Sequence, residues 1–309
     1  MARLNCSLLN RRNAIMSKSS FYLICTTLVF LGIAGCSRKS SDQSNALQIK
    51  GSDTMVNLGQ AWAEAFMKQS QGSSIAVTGG GSGTGITALV NNTCDIAEVS
   101  REMKESEIKL AESKGFSPYK IVVALDGLAV VVNPANKVSD LTIDQLGDVF
   151  TGKIKNWKEL GGRDAKIVLL SREVNSGTHV YFKEHVLRRG KADGKEEFAA
   201  EALLLSSSQA IADEVSQNLD AIGYYGMGYI TAKEKALMIA KDKSVAYVAP
   251  TMDNILNGSY PISRPLLMYT KGEPKGLVKT FVDHVLSPAG QEIVKKLDFV
   301  PVSATPATK

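Results

Sequence analysis

Cysteine and histidine are scarce in this sequence, four and three among 309 residues. Cys6, Cys25 and Cys36 all fall in the first 36 positions, so Cys94 stands alone in the remainder. That excludes a disulfide-stapled scaffold, and no Cys/His spacing suits a zinc site. Stability must come from a buried core, for which the chain is long enough in one or two domains. With His179, His185 and His284 as the only imidazoles, histidine-based catalysis has few sources. HExxH and DxD metal clusters are missing too. Aromatic residues make up 6% and sit mostly inside periodic segments, which argues against the exposed patch of an adhesion or assembly protein.

An excess of charge is also lacking once the N-terminal leader is set aside. Residues 36–309 hold 32 basic against 31 acidic side chains, a net +1, where the whole chain carries +5. Lys and Arg are scattered among Asp and Glu, so no basic stripe marks a nucleic-acid surface. If an anion is bound, local geometry has to hold it.

The leader itself carries Arg3, Arg11, Arg12 and Lys18 without an acidic residue, then the apolar run Phe21–Ala34. Fourteen residues fall short of the roughly 20 of a membrane span, and the pattern reads as a secretion signal over residues 1–35, with Met1 or Met16 as the start. The following "IAGC" resembles the lipobox of bacterial lipoproteins. That resemblance implies cleavage before Cys36 and acyl chains on it, a lipid anchor for a domain that stays in water. Residues 36–46 then form the anchor and a polar tether.

Along the rest, short β-rich runs alternate with helical patterns, an α/β fold. "LQIK" (47–50), "SIAVT" (74–78), "CDIAEVS" (94–100), "KIVVALDGLAVVVNP" (120–134), "AKIVLL" (165–170), "AIGYYG" (221–226) and "ISRPLLMYT" (262–270) are predicted strands. Met55, Leu58, Trp62 and Phe66 form one apolar helical stripe. Further helices are predicted over 142–150, 181–187, 207–218, 276–287 and 288–297, the last opened by Pro288. The apolar run Leu125–Val132 exceeds what one strand needs; it and "ISRPLLMYT" are read as two chain crossings between lobes.

Three stretches share one grammar: "GSDTM" from Gly51, "GGGSGTGITALV" from Gly79 and "NSGTHVYF" from Asn175. Each follows a predicted strand and opens a predicted helix. The first N–H groups of a helix lack internal partners and carry about half a positive charge, and glycine lets backbone approach a guest. An oxyanion site follows. The spelling excludes rivals: no lysine follows the glycines as a nucleotide P-loop requires, the GxGxxG spacing is missed, and Thr84 stands where the GxSxG elbow needs glycine.

"GSDTM", "GGGSGTGITALVNNTCDIAEVSRE", "LDGLAVVVNP", "LSREVNSGTHVYF", "AIGYYG" and "YPISRPLLMYTKG", in this order, resemble the substrate-binding lipoprotein of the high-affinity phosphate ABC transporter, from about Leu47 to the C-terminus. The resemblance implies a two-lobed periplasmic-binding-protein fold of type II, each lobe a central sheet flanked by helices. Lobe I would comprise 47–127 and 262–309, and lobe II 128–261. It also implies capture of inorganic phosphate as a monomer, delivery to a membrane permease with its ATPase, no cofactor, no metal and no catalysis.

Carried over residue by residue, Ser52, Thr54 and the backbone of Met55 would donate from the first turn, and Ser82, Gly83 and Thr84 from the second. Arg172, Ser176, Gly177 and Thr178 would donate from the other lobe, with Arg172 as charged clamp. Ser100 and Arg101 stand where many members place an aspartate that accepts the proton of hydrogen phosphate. Their presence leaves sulfate, molybdate or tungstate open beside phosphate.

Plainer roles compete for several of these residues. Arg172 could pair with Glu173 at the surface, Arg101 could be a solvated charge, and Asp53 could cap a helix. A phosphate-ester hydrolase would have to use His179 beside Ser176.

Overall fold

The computed structural model describes residues 45–191 and 193–302. The expected signal over 1–35, the expected acylation site Cys36 and almost all of the expected tether lie outside these. Among the described residues no helix is long and apolar enough to cross a membrane.

The chain begins with β1 (Ala46–Gly51), α1 (Val56–Gln69), β2 (Ser74–Thr78), α2 (Ser82–Val90), β3 (Ile96–Val99) and α3 (Glu105–Ser113). The long β4 (Pro118–Val132) follows, then β5 (Asp140–Thr142), α4 (Ile143–Phe150), β6 (Val168–Arg172), α5 (Gly177–Phe182), β7 (Leu203–Leu205), α6 (Ser208–Gln217) and β8 (Ala221–Gly226). The last part holds β9 (Lys235–Ala236), β10 (Met238–Ala240), α7 (Met252–Leu256), β11 (Ser263–Lys271), α8 (Gly276–Leu286) and α9 (Pro288–Lys296). Each of the three glycine-containing stretches does join a strand to a helix: β1 to α1, β2 to α2 and β6 to α5.

Strand order is β2-β1-β3-β11-β4-β8-β6-β7, with β9 also on β4. Strand β4 belongs to both lobes. Its first part, Pro118–Gly127, pairs antiparallel with β11, and Leu128–Val132 pairs antiparallel with β8. The change of partner falls at Gly127 and Leu128, where the Leu128 N–H donates to Ile262 O at 2.8 Å. The run from Leu125 to Val132 is apolar throughout save Asp126 and Gly127 because both of its faces are covered.

One continuous apolar core underlies both lobes. The α1 stripe places Leu58, Trp62 and Phe66 inside, and Trp62 Nε1 donates to Gly290 O at 2.8 Å, which fastens α1 to α9. In the second lobe Phe182 and Tyr224 stack with ring centroids 3.8 Å apart, and Phe150 meets both rings edge-on. A smaller cluster around Ile86, Leu89, Val99 and Leu267 seats α2 and α3 on the sheet.

Several boundaries differ from expectation for local reasons. Strand β3 starts at Ile96 and not at Cys94, since the Asp95 side chain takes the Gln48 N–H. Residues 165–167 bond the turn around Lys155 and Trp157, so β6 begins only at Val168. The helix predicted over 181–187 begins earlier, at Gly177, and widens to a π-turn over Lys183–Leu187. Its cap is Ser176, whose Oγ accepts the His179 N–H.

Candidate functional site

The starts of α1, α2 and α5 meet at the junction of the lobes. Thr54 lies before α1, Ser82 is the first residue of α2, and Gly177 and Thr178 open α5. Gly80 and Gly81 make the second of these corners possible, with φ of 111° and 92° that side-chain-bearing residues rarely adopt.

Five hydroxyls converge there, all buried. Ser52 Oγ donates to Ser100 Oγ at 2.9 Å, Ser82 Oγ lies 3.3 Å from Ser100 Oγ, and the Ser100 N–H donates to Ser82 Oγ at 3.0 Å. Thr54 Oγ1 and Thr178 Oγ1 are 2.9 Å apart, a bond between residues 124 apart in sequence that joins the lobes. Gly177 packs so closely that an added Cβ would lie 2.3 Å from Ser82 Oγ and 2.6 Å from Ser100 Oγ.

Two guanidinium groups flank the hydroxyls. Arg172 is 1% exposed and ties the lobes through Asp53: its Nη2 donates to Asp53 Oδ2 at 2.8 Å. Nη2 also donates to Ser206 O, Nη1 to Ser208 Oγ at 3.1 Å, and Nε to Leu205 O. Among the described residues this leaves one of its five N–H donors without a partner. Burial pushes its pKa down, and Asp53 opposes that shift. The pairing with Glu173 does not form, because the side chain turns inward from the end of β6.

Arg264 is the second guanidinium, on β11. With Asp126 of β4 it forms an ion pair in which both side chains are 0% exposed. Nε and Nη2 donate to Asp126 Oδ2 at 3.1 and 2.9 Å, Nη1 donates to Ser100 O at 2.9 Å, and Nη2 reaches Thr178 Oγ1 at 2.9 Å. Burial pushes the Asp126 carboxyl up, against the Arg264 charge and the Met227 N–H it accepts. Neither residue follows from the helix-start pattern. The available signal was one charge inside each of two apolar strand runs, "ALDGLAV" and "PISRPLL", where a charge is costly unless paired.

Not every expected residue joins the cluster. The Met55 N–H donates to Ser52 O at 2.9 Å and the Gly83 N–H to Asn175 O at 3.0 Å, so both are committed within the protein. Thr84 Oγ1 donates to Gly80 O at 2.6 Å on the exposed rim. Arg101 turns away onto Glu107, with bonds of 2.7 and 2.8 Å that hold the Glu107 carboxyl below the usual range although burial works the other way. It is thus neither solvated nor in contact with the hydroxyls. Asp53 is not a helix cap. Its Oδ1 accepts the Gly80 N–H at 2.8 Å, its Oδ2 accepts Arg172, and its carbonyl accepts the Tyr229 hydroxyl at 2.7 Å.

The residues a hydrolase would use are not arranged for one. The ring of His179 lies 3.3 Å from Ser171 Oγ and not beside Ser176 Oγ. Burial, helped by Lys183, pushes His179 down to about 4, so it is neutral near pH 7. What remains is an enclosed set of hydroxyl and guanidinium donors whose neighbouring carboxylates, Asp53 and Asp126, are both taken by arginines. Such a set binds an anion rich in acceptor oxygens.

Comparison with known proteins agrees with this chemistry. The PBP superfamily domain matches residues 37–289. The "Phosphate-binding protein PstS" of Pseudomonas aeruginosa is 35% identical over 289 residues, covering 88% of each chain. That of Bacillus subtilis is 34% identical over 312 residues, 95% of this chain and 98% of the relative. Among solved structures, a phosphate ABC-transporter substrate-binding protein of Clostridium perfringens with bound phosphate superposes with a TM-score of 0.75 at 36% identity, covering 84% of this chain and 100% of the other. An ABC-type phosphate transport receptor of Vibrio cholerae superposes with a TM-score of 0.67 at 30% identity, over 83% and 100%.

Proposed function

This chain belongs to the PBP superfamily, alongside the phosphate-binding proteins to which it is similar, and from that premise we propose that it captures inorganic phosphate between its lobes and delivers it to an ABC-transporter permease. The observation that carries this reading is the convergence of three helix starts, five buried hydroxyls and two guanidinium groups on one interlobe point. Ser52, Thr54, Ser82 and Ser100 act from one lobe, and Arg172, Ser176, Gly177 and Thr178 from the other.

Phosphate has five heavy atoms, and the best small ligands reach about −1.5 kcal/mol per atom, so roughly −7.5 kcal/mol or low-micromolar affinity is the usual ceiling. A site that loses its water on closure, with charge-assisted bonds, is the means of reaching or passing that limit. The protein acts as a receptor and not as a catalyst. It works outside the cytoplasm, held to the membrane by acyl chains on Cys36, with the permease and its ATPase as partners.

Ser100 gives a second reading its footing. A free carboxylate would reject fully deprotonated sulfate, and the two carboxylates near the hydroxyls are both engaged by arginines. Competition binding with phosphate, arsenate, sulfate and molybdate between pH 5 and 9 decides. Phosphate and arsenate outcompeting the others supports the first reading; sulfate competing equally replaces it.

A further inference from the structure

We propose that the Arg264–Asp126 pair is a hinge-mounted positioning device that orients the Thr54 and Thr178 hydroxyls toward the bound oxyanion when the lobes close. The proposal rests on the phosphate reading for its ligand, but its geometry is independent of which oxyanion is held.

Both residues sit on the strands that cross between lobes, and they are direct cross-strand partners in the β4–β11 ladder. The pair is therefore fixed at the point where one lobe turns against the other. From there Arg264 touches both sides: Ser100 O and, at 3.5 Å, Thr54 Oγ1 on one, and Thr178 Oγ1 at 2.9 Å on the other. The Tyr181 ring, also on the second side, covers the guanidinium with its centroid 5.5 Å from Cζ.

A guanidinium has donors and no acceptor, whereas a threonine hydroxyl has one proton and two lone pairs. Arg264 can only occupy a lone pair of Thr178 Oγ1, so neither threonine spends its proton on Arg264. One proton bridges the two hydroxyls, and the other is turned toward an acceptor. The threonine pair becomes a donor toward the guest. Asp126 keeps the guanidinium in plane through its bonds to Nε and Nη2, and the bond to Thr178 forms only while the lobes are together. Closure and donor orientation are then one event.

A purely structural pair is separable from a positioning one. Replacing a buried ion pair by apolar residues of similar size is often neutral for folding. The double variant Asp126→Leu/Arg264→Met should keep the parental circular dichroism spectrum and lose at least about thirty-fold in phosphate affinity by calorimetry. Affinity within threefold of the parent overturns the proposal.

Arg264→Lys guards against misfolding of the double variant. Its ammonium keeps the charge but cannot serve Asp126, Ser100 O and Thr178 at once, so about a ten-fold loss is expected, and parental affinity refutes the idea. The positioning role itself is read from a cycle with Thr178→Val: losses in Arg264→Lys and Thr178→Val should fall short of multiplying in the combined variant, whereas independent, multiplicative losses refute action through Thr178. If the parent binds no phosphate, the functional reading fails. The same variants titrated with sulfate or molybdate then judge this proposal separately.

Discussion

Gly177→Ala isolates the closed state. The backbone of Gly177 needs no left-handed angle, so the substitution imposes no local strain. Its Cβ, however, would stand 2.3 Å from Ser82 Oγ and 2.6 Å from Ser100 Oγ, both across the lobe junction, and Cβ atoms hardly ever come within 3.0 Å of another heavy atom. The lobes must part there by about 1 Å to reach van der Waals contact. Overpacking of this degree costs about 1–3 kcal/mol, and because only the closed form bears it, apparent phosphate affinity should fall by about five- to 150-fold. Calorimetry gives the affinity, and small-angle scattering should show a smaller phosphate-induced compaction than in the parent. Gly85→Ala is the contrast. Its Cβ would meet Lys50 O at 2.4 Å within one lobe, so it should lower the melting temperature as a folding defect. Parental affinity and full compaction in Gly177→Ala would refute the closed geometry drawn here.

Arg172→Ala leaves Asp53 without its cation and removes a clamp from the site, and should cost at least about 2 kcal/mol of phosphate affinity by calorimetry. Tyr229→Phe deletes the bond to Asp53 O and should cost about 1 kcal/mol in the same assay. Stability should also depend on pH through Glu98, a fully buried acid pushed up to about 8 by burial alone, with one carboxyl oxygen lacking a partner. Its folded form holds a proton that the unfolded chain releases near 4.5, so its contribution is complete below that pH and is lost as pH rises through 8. His179 has the opposite sign: its contribution is complete above its ordinary 6.5 and is lost toward 4. The two offset each other between about 4.5 and 6.5, and a decline in melting temperature should remain from 6.5 to 8. Glu98→Gln should remove most of that decline; a variant that tracks the parent over this range contradicts the assignment.

Three helix starts were legible because each combines an apolar strand, a glycine or serine corner and a 3.6-residue stripe, as in Met55, Leu58, Trp62 and Phe66. The paired arginines were only half legible. Arg172 stands four residues before the Ser-Gly-Thr element, but its partner Asp53 is 119 residues away and no local pattern links them. Arg264 and Asp126 are 138 apart, one near the start of β11 and one inside β4, where alternation says which face a residue takes and nothing of what it meets there. Arg101 misleads for the converse reason. It lies beside Ser100 in the chain, yet side chains alternate along an extended backbone, and Glu107 of the next helix captures it. Strands β7, β9 and β10 are two or three residues long, too short for any period to show.

The ladder between β4 and β11 continues up to the crossing itself, so what links the lobes there is a two-stranded ribbon and not a pair of loose tethers. Hydrogen-bonded ribbons resist stretching and sideways shear but yield to twist. On the function proposed above, seizing the guest and surrendering it are one rotation run in opposite senses, and a membrane partner that untwists the ribbon would unload the cargo without touching it.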